Sequence, residues 1–106
     1  MSAITTHVLD TAVGRPAAGV RVLLEGEGIK ANAATDQDGR CRELGPQEIP
    51  AGTYRLVFDT ASYFASIGQQ GFFPEVTITF TITDPAQHYH VPVLLSPFAY
   101  STYRGS

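Results

Sequence analysis

Three histidines, at positions 7, 88 and 90, are the side chains of this 106-residue sequence whose ordinary pKa lies near neutrality. His88 and His90 differ by two, so on a strand they share a face. That face continues through Pro92 and Leu94, opposite the row Tyr89, Val91, Val93 and Leu95. If the more apolar row packs inside, both imidazoles point outward beside a proline and a leucine. Such a face suits contact with a ligand or a second subunit as well as it suits two solvated histidines. Pro92 has no N–H for a ladder and is expected at an edge or a bulge. Three histidines, two of them at i and i+2, could also hold zinc with an open position. Against zinc, no Asp or Glu is spaced to orient the rings, and nothing in the sequence brings His7 to the pair.

Five other features could carry chemistry. The chain ends Tyr103-Arg104-Gly105-Ser106, polar groups directly after a strand-like run. Arg40 follows Asp38-Gly39 and is expected at a strand start, on the rim of a sheet. Cys41 lies between Arg40 and Arg42, which could lower a thiol pKa. The expected role is nonetheless a small buried hydrophobe. Gly26-Glu27-Gly28-Ile29-Lys30-Ala31 matches a loose dinucleotide-binding pattern, but the next turn signal, Asp38-Gly39, leaves no room for a crossover helix, so it reads as a hairpin loop. Thr35 to Arg40 resembles a calcium loop only superficially. Ala34 and Gly45 would fall where that loop needs carboxylates, and a plain turn is expected.

The elements that must position these groups are mostly strands. Val76, Ile78, Phe80 and Ile82 alternate with Thr77, Thr79 and Thr81, the pattern of a half-buried strand. Val20, Val22 and Leu24 alternate with Arg21 and Glu25. Tyr54, Leu56 and Phe58 alternate with Arg55, Val57 and Asp59. Residues 4–9, 30–35 and 98–103 read as further strands, separated by turns rich in Gly, Pro and Asp. One segment differs. Asp59 or Thr60 can cap, Tyr63, Phe64 and Ile67 share a side, and Gly68 can terminate, which predicts two turns of helix near 61–67. Many short strands and one short helix imply an all-β sandwich or small barrel, expected as one domain over residues 1–106.

Composition narrows the partners. Net charge is −3, which argues against general nucleic-acid binding. Six of the seven cations are arginine, suited to planar polar ligands. No apolar run approaches the roughly 20 residues of a membrane span. The first ten residues lack a basic segment followed by an apolar core, so no secretory signal is read and a cytoplasmic location is expected. A lone cysteine excludes an intrachain disulfide and fits a reducing compartment.

The closing stretch, from His88-Tyr89-His90 through Tyr103-Arg104-Gly105-Ser106, resembles the C-terminal signature of the 5-hydroxyisourate hydrolases, the transthyretin-related enzymes of urate breakdown. The similarity runs nearly end to end: His7 to Thr11 with Gly14 to Ala17, the hairpin Thr35 to Arg40, Phe58 to Phe64, and Phe72 to Val76. The terminal tetrapeptide is its most specific element. Transthyretin itself, a hormone carrier, shares the approach Tyr100-Ser101-Thr102 but does not end this way. The resemblance implies a transthyretin-like (prealbumin-type) sandwich of seven to eight strands, assembled as a homotetramer with active sites in a channel between dimers. It implies His7, Arg40, His90 and Ser106 as catalytic residues, with His7, Arg40 and Tyr103 binding substrate. It implies hydrolysis of the N1–C6 amide of 5-hydroxyisourate, with no cofactor and no metal. Which histidine is the general base stays open, as does any part played by the Ser106 carboxylate. The alternative is a transthyretin-like carrier that binds a small aromatic ligand without turnover.

Overall fold

Period-two alternation decides which side of each strand is buried. The computed structural model describes residues 2–106; Met1, the first residue of the expected domain, lies outside them. Nine strands and one helix follow in the order β1 (Ile4–Asp10), β2 (Arg15–Pro16), β3 (Arg21–Gly26), β4 (Ile29–Ala34), β5 (Arg40–Leu44), β6 (Gly52–Phe58), α1 (Thr60–Ser66), β7 (Val76–Ile82), β8 (Tyr89–Ser96) and β9 (Ala99–Thr102). Eight of the strands span four residues or more. The two-residue β2 replaces part of what the sequence marks as a turn, because Arg15 and Pro16 pair with the end of β1. No helix among the described residues is long and apolar enough to cross a membrane.

The strands form two sheets. One has the order β2-β1-β8-β9, with β5 also pairing with β1; the other has the order β4-β3-β6-β7. Every named pair is antiparallel except β1 with β8, which run parallel from Ile4↔Tyr89 to Asp10↔Leu95. A parallel pair needs a long crossover. Here the whole second sheet lies between its two members in sequence. The rows expected to face inward do so: Val22 and Leu24, Tyr54, Leu56 and Phe58, and Tyr89, Val91, Val93 and Leu95 are all buried in one cluster between the sheets. Each such side chain contributes about 1.5–3 kcal/mol relative to exposure.

Local chemistry places the connections. Gly26↔Ile29 closes the β3–β4 hairpin, so the glycine-rich loop turns back on itself, as its short spacing to the next turn requires. Before β5, the Asp36 carboxylate accepts the N–H groups of Asp38 and Arg40 at 2.8 and 3.0 Å, a self-bonded turn that presents no calcium cage. These N–H bonds, Arg40's first, hold the Asp36 carboxyl below the usual carboxylate range. Gly39 adopts φ +76°, and a Cβ there would lie 2.3 Å from the Val8 carbonyl oxygen. Only glycine lets the turn press against β1 and deliver Arg40 opposite His7.

Asp59 caps α1 by accepting the Ser62 N–H at 3.1 Å. Tyr63 and Phe64 are buried, but Ile67 is 49% exposed, so the helix docks through two aromatics rather than the expected three apolar residues. Ile67 follows the last helical residue, where the chain is already turning away toward Gly68. The Tyr63 hydroxyl donates to Asp10 at 2.6 Å, tying α1 to the end of β1. Asp10 is 1% exposed and also accepts the Ala12 N–H. Burial, then the Asp10 hydrogen bond and charge, push the Tyr63 hydroxyl well above its ordinary range. Replacing Tyr63 by Phe strips a buried carboxylate of its strongest donor and should cost about 1.5–3 kcal/mol. Urea denaturation should show a lower midpoint at an unchanged slope. A parental midpoint would show that Asp10 does not depend on this donor.

Candidate active site

The outward face of the parallel pair carries the groups singled out in the sequence. In register, Thr5 lies beside His90 and His7 beside Pro92, while the β1–β5 pairing sets His7 beside Arg40. Paired residues share a face, so Thr5, His7, Arg40 and His90 project together, away from the core. A cavity of about 250 Å³ opens there, lined by Thr5, Thr6, Arg40, Arg42, His90 and Ser106, with His88 at its rim.

The tail reaches this cavity by leaving its ladder. β9 pairs with β8 only as far as Thr102↔Val93, where the Thr102 hydroxyl donates to the Pro92 carbonyl at 2.8 Å. The pairing lapses at Tyr103 and Arg104 and resumes in the same register, where the Gly105 N–H donates to the His90 carbonyl at 2.8 Å. Pro92 falls between these two contacts. Of the two places expected for Pro92, an edge or a bulge, the first is corrected: β8 has neighbours on both sides, and Pro92 falls instead at a local interruption of its pairing with the tail. The missing N–H sits where the ladder is already interrupted, so no donor is lost. A Cβ on Gly105 would lie 2.7 Å from His90 Cδ2, so glycine allows the backbone to cross the imidazole. Arg104 stacks over the Tyr89 ring at 4.6 Å and donates to Gln87 at 2.8 Å, pinning the turn that precedes Ser106.

The electrostatics favour an anionic or strongly polar occupant. Arg42 is engaged by Asp36 at 3.2 Å and Asp38 at 4.0 Å. No carboxylate among the described residues pairs with the half-buried Arg40 side chain, which keeps its fork of donors for a ligand. His90 is half-buried, and its Nδ1 lies 2.8 Å from the Thr5 hydroxyl. Burial lowers its pKa below the ordinary value, and the charges of Arg40, His7 and His88 lower it further. A neutral imidazole beside a permanent cation can take a proton from water while the cation receives negative charge on a carbonyl oxygen.

Arg40, His90 and Ser106 thus share one cavity, and His7 stands next to Arg40 on the same face. Tyr103 is 58% exposed and opens to a different cavity of about 400 Å³, beyond the tail, lined also by Phe80, Tyr89 and Arg104. His90 borders both. Thr5, Thr6 and Arg42 were not among the residues expected from sequence. Thr5 could have been found from its offset of two from His7 on one strand. Cys41 is buried, and burial, aided by Asp36, pushes its thiol up to about 11. It behaves as the small hydrophobe expected, and the flanking arginines do not activate it. Among the described residues, no three His, Cys, Asp or Glu side chains gather closely enough to hold a metal ion.

Comparison with known proteins is consistent along the chain. The family model described as the HIUase/Transthyretin family matches residues 4–105. The sequence is 47% identical over 113 residues to the 5-hydroxyisourate hydrolase of Mus musculus, covering 99% of this chain and 96% of that protein. The structure of Klebsiella pneumoniae 5-hydroxyisourate hydrolase is similar with a TM-score of 0.89 at 41% identity, covering 100% of this chain and 94% of that one. Sea bream transthyretin in complex with thyroxine is similar with a TM-score of 0.84 at 32% identity, covering 96% and 93%.

The His90 environment predicts its titration. Its midpoint, followed by NMR of the ring protons, should lie below about 6.5. Arg40→Ala should raise it, because a neighbouring cation is removed. The unfolded chain then binds the proton first, so this residue's contribution to stability declines as pH falls from about 6.5 toward the folded midpoint and levels off below it. A midpoint at or above the ordinary histidine value would contradict the description of the site.

Proposed function

The chain belongs to the HIUase/Transthyretin family, and from that premise we propose that it hydrolyses 5-hydroxyisourate to 2-oxo-4-hydroxy-4-carboxy-5-ureidoimidazoline, a step of urate breakdown. The observation that favours an enzyme over a ligand carrier is the terminal tetrapeptide. It crosses His90 and seats Ser106 beside His90 and Arg40, at the point where this sequence departs from transthyretin.

The reaction breaks the N1–C6 amide bond of the six-membered ring. Water at neutral pH needs a base, and a histidine with a depressed pKa is in its basic form at that pH. In this reading one of His7 and His90 accepts the water proton, and the other steers the ring or protonates the departing N1. As the C6 carbon becomes tetrahedral, negative charge gathers on its oxygen, and the Arg40 guanidinium stabilises it. Ser106 offers a hydroxyl to substrate or water. Tyr103 would meet substrate only in the assembled channel, because within one subunit it opens to the adjacent cavity. Every step falls to side chains, without a metal or cofactor.

Assembly as a homotetramer is part of the same proposal. Two features support it: the outer edges of β7 and β9 carry no partner strand within the subunit, and Leu94 stands half-buried on the same outward face of β8 as His90 and Pro92. A cytoplasmic location is supported by one free cysteine in a chain without disulfides.

The direct test is the loss of 5-hydroxyisourate ultraviolet absorbance on adding protein, corrected for spontaneous decay. His90→Ala should lower kcat by about 10²–10⁴. Arg40→Ala should lower it by about 10²–10³. Binding without turnover, unaffected by His90→Ala, would instead identify a carrier. Appending a long tag after Ser106 should cost far more activity than thermal stability, because the tail lines the cavity without entering the core; a fully active tagged protein would remove Ser106 from the scheme.

A further inference from the structure

Thr5 and His88 take no part in the scheme above, yet with His90 they make the closest contacts between two side chains in the site. The Thr5 hydroxyl oxygen lies 2.8 Å from His90 Nδ1 and 2.9 Å from His88 Nε2. A hydroxyl carries one proton, so it cannot donate to both nitrogens. At least one imidazole must therefore hold its own proton on the Thr5 side.

For His90 the alternatives have opposite chemistry. A proton on Nδ1 leaves a bare lone pair on Nε2, which is a base; a proton on Nε2 makes that nitrogen a donor. His90 Nε2 has no hydrogen-bond partner among the described residues. Among the described residues no buried side-chain nitrogen or oxygen lacks a partner, so Nε2 is accessible to water in the cavities that His90 borders. One feature of the geometry favours a proton on the Thr5 side: the Thr5 hydroxyl has a second nitrogen, His88 Nε2, to which it can give its own proton. Thr5 is 6% exposed and in direct register with His90, so bulk water does not readily replace it.

We propose that Thr5, with His88 accepting its hydroxyl proton, is a positioning residue that fixes neutral His90 with its proton on Nδ1 and a free Nε2 facing the cavity. This deepens the hydrolase reading and rests on it, for it assigns the water-directed base to His90 rather than His7. When water attacks, its proton passes to Nε2 and its oxygen bonds to the substrate carbon. The Nδ1 proton stays on His90, donated to an oxygen whose own proton is engaged by His88. That arrangement strengthens the oxygen as an acceptor just as the ring becomes positive.

The test combines side-chain nitrogen NMR of the histidines with steady-state kinetics on the full chain. In the parent at a pH where His90 is neutral, its Nδ1 should carry the proton. Thr5→Val, close in volume, should move the proton to Nε2 and lower kcat about 10–100-fold with little change in KM. Thr5→Ser should restore both readouts. His88→Phe, at an exposed position that folding tolerates, should give a smaller kcat loss and a mixture of tautomers, and it decides the matter if Thr5→Val fails to fold. A parent with the proton on Nε2, a Thr5→Val protein with parental kcat, or a Thr5→Ser protein as impaired as Thr5→Val would each overturn the proposal. Turnover by the parent tests the hydrolase reading separately, so an active parent with an indifferent Thr5 sinks only this assignment.

Discussion

The parallel pairing of β1 with β8 is the constraint on which the rest depends. It joins residues 4–10 to residues 89–95, and in doing so sets Thr5 beside His90 and His7 beside Pro92. Closing so long a loop carries an entropic cost that grows slowly with length. The inward faces of the same strands offset it, since Ile4, Val8, Tyr89, Val91, Val93 and Leu95 all enter the core. The pair is thus held by one face and used by the other. A slip of one residue would exchange the faces, burying the histidines and exposing the core row. The register that stabilises the sandwich and the register that assembles the site are the same register.

Around that pair, each remaining group is brought in by a local device. Arg40 arrives through the self-bonded Asp36 turn, pressed against β1 where Gly39 meets the Val8 carbonyl. Ser106 arrives because β9 ends at Thr102 and the tail returns across His90 at Gly105. Pro92 lies in the gap between those contacts. A proline there lets β8 hold its place inside the sheet without asking for a donor bond on the side where the tail must diverge. At the other end of β1, the buried Asp10–Tyr63 contact secures the strand against α1. Both ends of β1 therefore rest on polar groups outside the hydrophobic cluster, Asp10 at one and the Ser2 side chain, bonded to Arg42 and Leu44, at the other.

The site's electrical character follows from this packing. Arg42 is spent on the acidic turn, whereas Arg40, two residues earlier and in register with His7, keeps no carboxylate partner among the described residues. The half-buried His90 then sits close to that charge and to two other imidazoles, which is why its proton is weakly held. A cation left for the ligand and a neutral base beside it are consequences of who pairs with whom across strands.

Much of this was legible in the sequence for a local reason. Period-two rows such as Val76 to Ile82, the Asp36 to Arg40 turn and the cap at Asp59 depend on residues within a few positions of one another, so types and spacing determined the strands, the turns, the short helix and the outward direction of His90. The terminal tetrapeptide pointed to its family, but spacing alone could not show where that tail goes. What only the tertiary structure decided was non-local: the parallel partner of β1, the tail's passage over His90, the separation of Tyr103 from Ser106 by a turn of backbone, and the double contact of the Thr5 hydroxyl. The pairing of β1 with β8 and the Thr5 contact depend on register between segments more than 80 residues apart, with Thr5 and His90 separated by 85. Alternation says which face a side chain takes; only packing of the two sheets selects the strand beside it.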